Sequence, residues 1–156
     1  MNDYLSSAPD LADFVRLLSR RGVNYLVVGG HAVGFHSSPR ATKDLDIWLE
    51  PSEQNRQRLV MALEEYGAPP QVAAHLLSAK SSEIVWFGRP PNRIDLMQTL
   101  PGVDFEHAAK RAVYADSGDQ KIPVIGIEDL IQNKQIVGRD RDKLDVKHLR
   151  RAIAAR

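Results

Sequence analysis

The sequence has 156 residues, with 21 basic and 20 acidic side chains and a formal net charge of +1 at pH 7. This length fits one ordinary domain, which can bury a hydrophobic core without disulfides or other cross-links. The absence of cysteine excludes disulfides, thiolate zinc sites and cysteine nucleophiles. The balanced charge gives no global attraction for nucleic acid, and no DNA partner is inferred.

The N-terminal residues contain acidic side chains and lack a basic segment followed by an apolar run. We therefore expect no signal peptide. No stretch approaches the ~18 consecutive apolar residues of a membrane span. These features predict a cytoplasmic protein without a membrane partner.

Apolar periodicity and turn residues predict alternating helices and strands along the chain. The predicted helices cover residues 10–21, 31–35, 52–66, 71–79, 104–111, 127–137 and 141–154. The predicted strands cover residues 25–28, 44–49, 83–87, 93–97, 113–115 and 122–125, the last two forming a hairpin. This mixed order favours an α+β (mixed α/β) fold, with a mixed sheet and flanking helices in a single domain over residues 1–156.

Two aspartates stand two residues apart in the second predicted strand, Asp44 and Asp46. Side chains at this spacing lie on the same face of a strand, so both carboxylates point to one place. Neighbouring carboxylates repel unless a cation lies between them. Hard oxygen ligands of this kind suit Mg²⁺ or Mn²⁺, together with substrate phosphates.

A glycine pair, Gly29-Gly30, ends the first predicted strand and precedes a short helix. Backbone N–H groups at such a turn can approach an anion, and the helix dipole favours a phosphate there. The glycine pair and the acidic pair together predict a site for a metal-bound triphosphate.

A third acidic residue, Asp95, lies in the apolar strand segment Arg93-Ile94-Asp95-Leu96-Met97. A buried charge needs a partner, because desolvation without one is costly. The partner is either a metal shared with Asp44 and Asp46 or a cation such as Arg93. With the metal, Asp95 is predicted to serve as ligand or general base in nucleotidyl transfer.

The run VVGGHAVGFHSSPRATKDLDIWLE (residues 27–50) resembles the nucleotidyltransferase superfamily, which has the polymerase-β-like fold. Within this superfamily, the Arg-x-Thr sequence (Arg40 and Thr42) before Asp-Leu-Asp is most similar to small bacterial branches, which include the AbiEii-type toxins and related uncharacterised nucleotidyltransferases. Residues 122–149 also resemble these branches, and the resemblance spans roughly residues 22–150. It implies that Asp44, Asp46 and Asp95 are catalytic metal ligands for Mg²⁺ or Mn²⁺.

The resemblance also implies a nucleotide-binding role for five residues: Gly29, Gly30, Arg40, Thr42 and Lys134. From the residues alone, Arg40 either binds phosphate or follows the turn at Pro39, and Thr42 is either functional or an ordinary strand residue. Lys134 lies on the inward face of its predicted helix. Asp142 and Asp145, one to two turns before the apolar stripe of the last helix, are predicted to orient Lys134 or Arg139.

The implied activity is transfer of a nucleoside monophosphate from an NTP to a hydroxyl on a protein, an RNA or a small molecule, in a toxin–antitoxin or defence context. Many active members have Gly-Ser where this chain has Gly29-Gly30, and larger relatives append a helical acceptor-binding domain. These departures favour the alternative of a catalytically weak module that binds a toxin or antitoxin partner.

Among the remaining residues, His36 is predicted to lie in a loop, and Trp48 and Trp86 are predicted to pack in the core or against the sheet.

Overall fold

The structure is a computed structural model that describes residues 4–156. The helices of this part are α1 (Pro9–Arg20), α2 (Gly29–His36), α3 (Glu53–Tyr66), α4 (Pro70–Ser78), α5 (Phe105–Lys110), α6 (Ile127–Val137) and α7 (Asp140–Ala154). The strands are β1 (Tyr25–Val28), β2 (Asp44–Leu49), β3 (Val85–Phe87), β4 (Arg93–Met97), β5 (Val113–Ser117) and β6 (Gln120–Val124).

All six strands form one mixed sheet in the order β3-β4-β2-β1-β6-β5. The β2–β4 and β1–β6 pairs are parallel, whereas the β1–β2, β3–β4 and β5–β6 pairs are antiparallel. This arrangement confirms the predicted α+β fold, with a mixed sheet and flanking helices in one domain.

The two faces of the sheet differ in character because side chains alternate along each strand. One face carries the fully buried Leu45 and Ile47 of β2 and belongs to the hydrophobic core. Phe14 of α1 contacts Phe87 of β3 edge-on on this face. The opposite face carries the aspartates of β2, so the alternation that builds the core also presents the acidic pair.

Local sequence explains where α3 begins and ends. The Ser52 side chain accepts a hydrogen bond from the backbone N–H of Asn55, which caps the first turn. Gly67 ends the helix with a φ of 87°, a left-handed conformation that glycine adopts without a Cβ penalty. The predicted helix over residues 52–66 is confirmed to within one residue.

Several sequence predictions differ from the structure. α2 begins at Gly29 and β6 at Gln120, each two residues earlier than predicted, and β5 ends at Ser117, two residues later. The third strand begins at Val85, two residues later than predicted. His36 is not in a loop: it ends α2, is buried, and its Nε2 lies 2.7 Å from the backbone oxygen of Ile125. Trp48 is a core residue as predicted, but Trp86 is 55% exposed on the edge strand β3.

The longest helix of residues 4–156 is α7, with 15 residues. None of the helices in this range is both long and apolar enough to cross a membrane.

Candidate active site

The sheet register brings the three predicted carboxylates together. Asp46 of β2 pairs directly with Asp95 of β4, and Asp44 lies two residues before Asp46 on the same face. One carboxylate oxygen from each residue lies within 4.8 Å of the other two. Three hard oxygen ligands at this spacing match the coordination preference of Mg²⁺ or Mn²⁺.

Electrostatics within the cluster also favour a cation. Burial, with added repulsion from Asp44 and Asp95, raises the pKa of Asp46 to about 7, although Lys134 and Arg141 oppose the shift. Burial likewise raises the pKa of Asp95 above its ordinary value, against a hydrogen bond from Arg93. A divalent cation among these oxygens would relieve the repulsion that produces part of both shifts.

The raised pKa of Asp46 predicts a pH-dependent stability in the metal-free protein. A carboxyl group whose pKa rises from 3.8 in the unfolded chain to about 7 in the fold loses its stabilising contribution as the pH increases between these values. The wild type should therefore become less stable relative to the Asp46→Asn variant as the pH rises over this window, so that the unfolding free energy of the variant minus that of the wild type increases. Urea unfolding in EDTA at a series of pH values measures it, and a difference that does not change with pH would contradict the prediction.

Arg93 contacts the edge of the carboxylate cluster. Its Nε donates a hydrogen bond of 2.7 Å to Oδ1 of Asp95, so Asp95 has the cationic partner considered from the sequence and also lies within reach of a cation shared with Asp44 and Asp46. The guanidinium carbon of Arg93 also lies 4.3 Å from the ring centroid of Trp86. This contact of Trp86 with Arg93 was not predicted from the sequence; the pairing of β3 with β4 places Trp86 on the same face of the sheet as Asp95.

The glycine pair lies against the acidic cluster at the end of β1. Gly29 has a φ of 66°, and a Cβ at this position would overlap the Asp46 carboxylate. A Cβ at Gly30 would overlap Cγ2 of Thr42. The space that a serine would need at position 30 is therefore filled by the methyl group of Thr42, whose hydroxyl oxygen lies 2.9 Å from Nε2 of His31. His31, in the first turn of α2, is thus a further side chain beside the glycine pair.

A buried ion-pair network joins α6 to α7. Lys134 Nζ lies 3.2 Å from Oδ1 of Asp142 and 3.1 Å from Oδ2 of Asp145. Lys134 is 6% exposed, and the two aspartates are 0% and 1% exposed. Arg139 pairs with Asp142 at 2.7 Å, and Arg40 pairs with Asp145. Asp142 and Asp145 therefore orient Lys134, as the sequence predicted, and Asp145 also holds Arg40.

The network fixes the protonation of Asp142. Burial acts to raise the pKa of this carboxyl, but hydrogen bonds from Arg139 and Lys134 outweigh burial and hold the pKa below its ordinary value. Asp142 therefore remains an anion that keeps Lys134 in place. Because the charge of Lys134 lowers the pKa of Asp46, the network also acts on the carboxylate cluster.

A cleft of about 1290 Å³ lies away from this cluster, near the start of β1 and the end of β2. Its lining includes Tyr25, Trp48 and Phe105 but none of the three carboxylates. The convergent charged groups, and not the volume of this cleft, mark the candidate site.

No protein-family model matches the sequence, and no curated protein matches it significantly. Among solved structures, the chain is similar to the lincosamide antibiotic adenylyltransferase LnuA with lincomycin bound, with a TM-score of 0.59 and 17% identity, covering 96% of this chain and 98% of that one. It is also similar to an antigenic nucleotidyltransferase-like protein from Paracoccidioides brasiliensis, with a TM-score of 0.57 and 16% identity, covering 95% of this chain and 77% of that one. The chain therefore has a nucleotidyltransferase-like fold.

Proposed function

We propose that this protein is a metal-dependent nucleotidyltransferase that moves a nucleoside monophosphate from an NTP to a hydroxyl of a protein, an RNA or a small molecule. The observation that carries the proposal is the meeting of Asp44, Asp46 and Asp95 within 4.8 Å, beside a glycine turn. The similarity in fold to an adenylyltransferase supports ATP as the first NTP to test.

Asp44, Asp46 and Asp95 are the residues that would hold Mg²⁺ or Mn²⁺. When bound, such ions neutralise triphosphate charge and lower the pKa of an attacking hydroxyl. The oxygen-only donor set and the raised pKa of Asp46 support this assignment.

The phosphate-binding side of the site would be formed by Gly29, Gly30, Arg40, Thr42 and Lys134. The glycine turn forms the start of α2, where the unpaired backbone N–H groups and the helix dipole favour an anion. Arg40 supplies a guanidinium that is 37% exposed while paired with Asp145. A phosphate could therefore reach Arg40 without opening the core.

In the proposed reaction the acceptor hydroxyl oxygen attacks the α-phosphorus of the NTP. The new oxygen–phosphorus bond forms as the bond from the α-phosphorus to the bridging oxygen of the β-phosphate breaks. Pyrophosphate leaves with that electron pair, and Asp95 takes the hydroxyl proton. A carboxyl group whose pKa is raised by burial accepts a proton more readily than an exposed one.

Transfer of label from an NTP to an acceptor tests the proposal. The full chain is incubated with Mg²⁺ and each of the four NTPs labelled at the α-phosphate, together with tRNA, a protein extract or a panel of hydroxylated small molecules. The expected result is labelled acceptor with release of unlabelled pyrophosphate. The proposal would be contradicted if all label remained in the NTP under these conditions and the protein bound none of the four NTPs.

The alternative is a catalytically weak module that binds a toxin or antitoxin partner. The missing serine at position 30 favours it, because the methyl group of Thr42 fills the space that a serine side chain would need there. Calorimetry with NTPs and with the products of neighbouring genes separates the two functions. Tight binding to such a product without NTP binding would support the module, and it would also support the predicted toxin–antitoxin context of the AbiEii-type branch.

A further inference from the structure

An exposed tryptophan lies beside the third carboxylate on the edge of the sheet. The register pairs Val28 with Asp46, Asp46 with Asp95, and Asp95 with Trp86. These four residues form one row across β1, β2, β4 and β3, with neighbouring strands about 4.8 Å apart. Directly paired residues share a face of the sheet. Trp86 is therefore the next side chain beyond Asp95 in the direction away from the glycine turn.

The indole of Trp86 is held in place on one side. The Arg93 guanidinium carbon lies 4.3 Å from the ring centroid, and Nε of the same arginine donates to Asp95 at 2.7 Å. The cation and the ring attract each other, so Arg93 links the orientation of the indole to the carboxylate cluster. Since Trp86 remains 55% exposed, the indole is both oriented and accessible to a ligand.

The order of residues in the row divides the site into two sides. The glycine turn follows β1, the Arg40 guanidinium lies beside Gly30, and α6, which carries Lys134, packs against α2. These groups are therefore on the β1 side of the carboxylates, where the proposed function places the triphosphate. An acceptor that approaches Asp95 from the other direction must pass over β3. The large apolar side chain on that path is Trp86, which is exposed at the sheet edge and does not belong to the buried core.

We propose that Trp86 is a specificity-determining residue that stacks against the ring of a carbohydrate acceptor, and that a hydroxyl on this ring receives the nucleotide. This inference rests on the proposed nucleotidyltransferase function. Arg93 is a positioning residue that acts through both Trp86 and Asp95.

The short distance between the indole and Asp95 favours a sugar over a nucleobase. Trp86 and Asp95 are directly paired on adjacent strands, so a ring stacked on the indole lies next to the carboxylate. The stacked ring must then carry the reacting hydroxyl itself. A pyranose has hydroxyls on the ring and an apolar C–H face for the indole, whereas a nucleobase has its hydroxyls on the attached ribose.

Binding can be tested without turnover because the chain has only two tryptophans. Trp48 is 1% exposed and is protected from acrylamide, so quenching reports mainly on Trp86. We expect methyl glucopyranoside, methyl galactopyranoside or methyl mannopyranoside to protect the wild type from quenching. In the Trp86→Leu variant, which keeps Trp48, the pyranosides should change nothing.

The same experiment on the Asp46→Asn variant separates this inference from the proposed function. Protection by a pyranoside in a variant without transferase activity supports the Trp86 surface independently of catalysis. Protection by adenosine or uridine but by no pyranoside would overturn the carbohydrate assignment, and so would the absence of protection by any of these probes.

Steady-state kinetics with a labelled sugar acceptor tests the role in specificity. Trp86→Leu should raise the KM for the acceptor about tenfold or more, because the ring loses its stacking surface. The KM for the NTP should stay within about twofold, and Trp86→Phe should recover most of the acceptor affinity. An equal rise in both KM values would assign Trp86 a structural role and overturn the proposal.

Discussion

Replacing Asp46 with asparagine is expected to lower kcat for nucleotidyl transfer by about a hundredfold to a thousandfold. Enzymes typically lose this much in kcat when one group that stabilises charge in the transition state is removed. Asp46 lies between Asp44 on its own strand and Asp95 on the next. Asparagine keeps the size of the side chain but removes the charge that a divalent cation needs. Initial rates at saturating NTP and a range of Mg²⁺ concentrations measure the effect.

Asp116→Asn is the matched control for this variant. Asp116 is an exposed carboxylate on β5 of the same sheet, and it pairs with Lys121 at the surface. Because exposed ion pairs contribute little to stability, this variant should keep wild-type activity and stability. Equal activity of the Asp46→Asn variant and the wild type at every Mg²⁺ concentration would contradict the metal-ligand role of Asp46.

A stability measurement separates lost chemistry from lost structure. The pKa of Asp46 in the metal-free protein is raised by burial of the charged carboxylate and by repulsion from Asp44 and Asp95, and asparagine carries no charge on which either can act. The Asp46→Asn variant should therefore be at least as stable as the wild type in EDTA above pH 7. Added Mg²⁺ should stabilise the wild type through binding to the folded state and should have a smaller effect on the variant.

Much of the candidate site follows from local sequence. The spacing of Asp44 and Asp46 in an alternating strand is sufficient to put both on one face, and the buried Leu45 and Ile47 on the other. The apolar neighbours of Asp95 place it inside a strand. The pairing of Asp46 with Asp95 is not local, since it requires β4 to pair in parallel with β2. That register depends on how the whole sheet assembles, so the sequence leaves open whether Asp95 faces the other two, and the family resemblance implies only a shared metal role for the three.

Two other features could not be predicted because they join distant parts of the chain. Arg40 and Asp145 are 105 residues apart in sequence, and no spacing rule connects a loop before β2 with α7. The sequence predicts packing for Trp86 because large aromatic residues are usually buried. Its exposure follows from the position of β3 at the edge of the sheet, which depends on the strand order.

The second large effect is expected from Lys134→Met, which should lower the free energy of unfolding by about 3 kcal/mol, the lower end for breaking a buried ion pair. Lys134 faces two fully buried carboxylates, Asp142 and Asp145. Methionine preserves much of the volume but removes the ammonium group. Arg139 and Arg40 still reach one aspartate each, which places the expected cost at the lower end. Urea unfolding at neutral pH measures it.

The dependence of this loss on pH and on second substitutions distinguishes a charge effect from a packing effect. The pKa of Asp142 is held below its ordinary value partly by Lys134, so this pairing stabilises the fold above the ordinary carboxyl range and is lost as the pH falls. The deficit of Lys134→Met should therefore shrink in acid. Adding Asp145→Asn to Lys134→Met should recover part of the loss, while Lys121→Met, at an exposed lysine, should cost less than about 0.5 kcal/mol. A deficit that is constant with pH and unrelieved by Asp145→Asn would show that Lys134 stabilises the fold by packing and not through its charge.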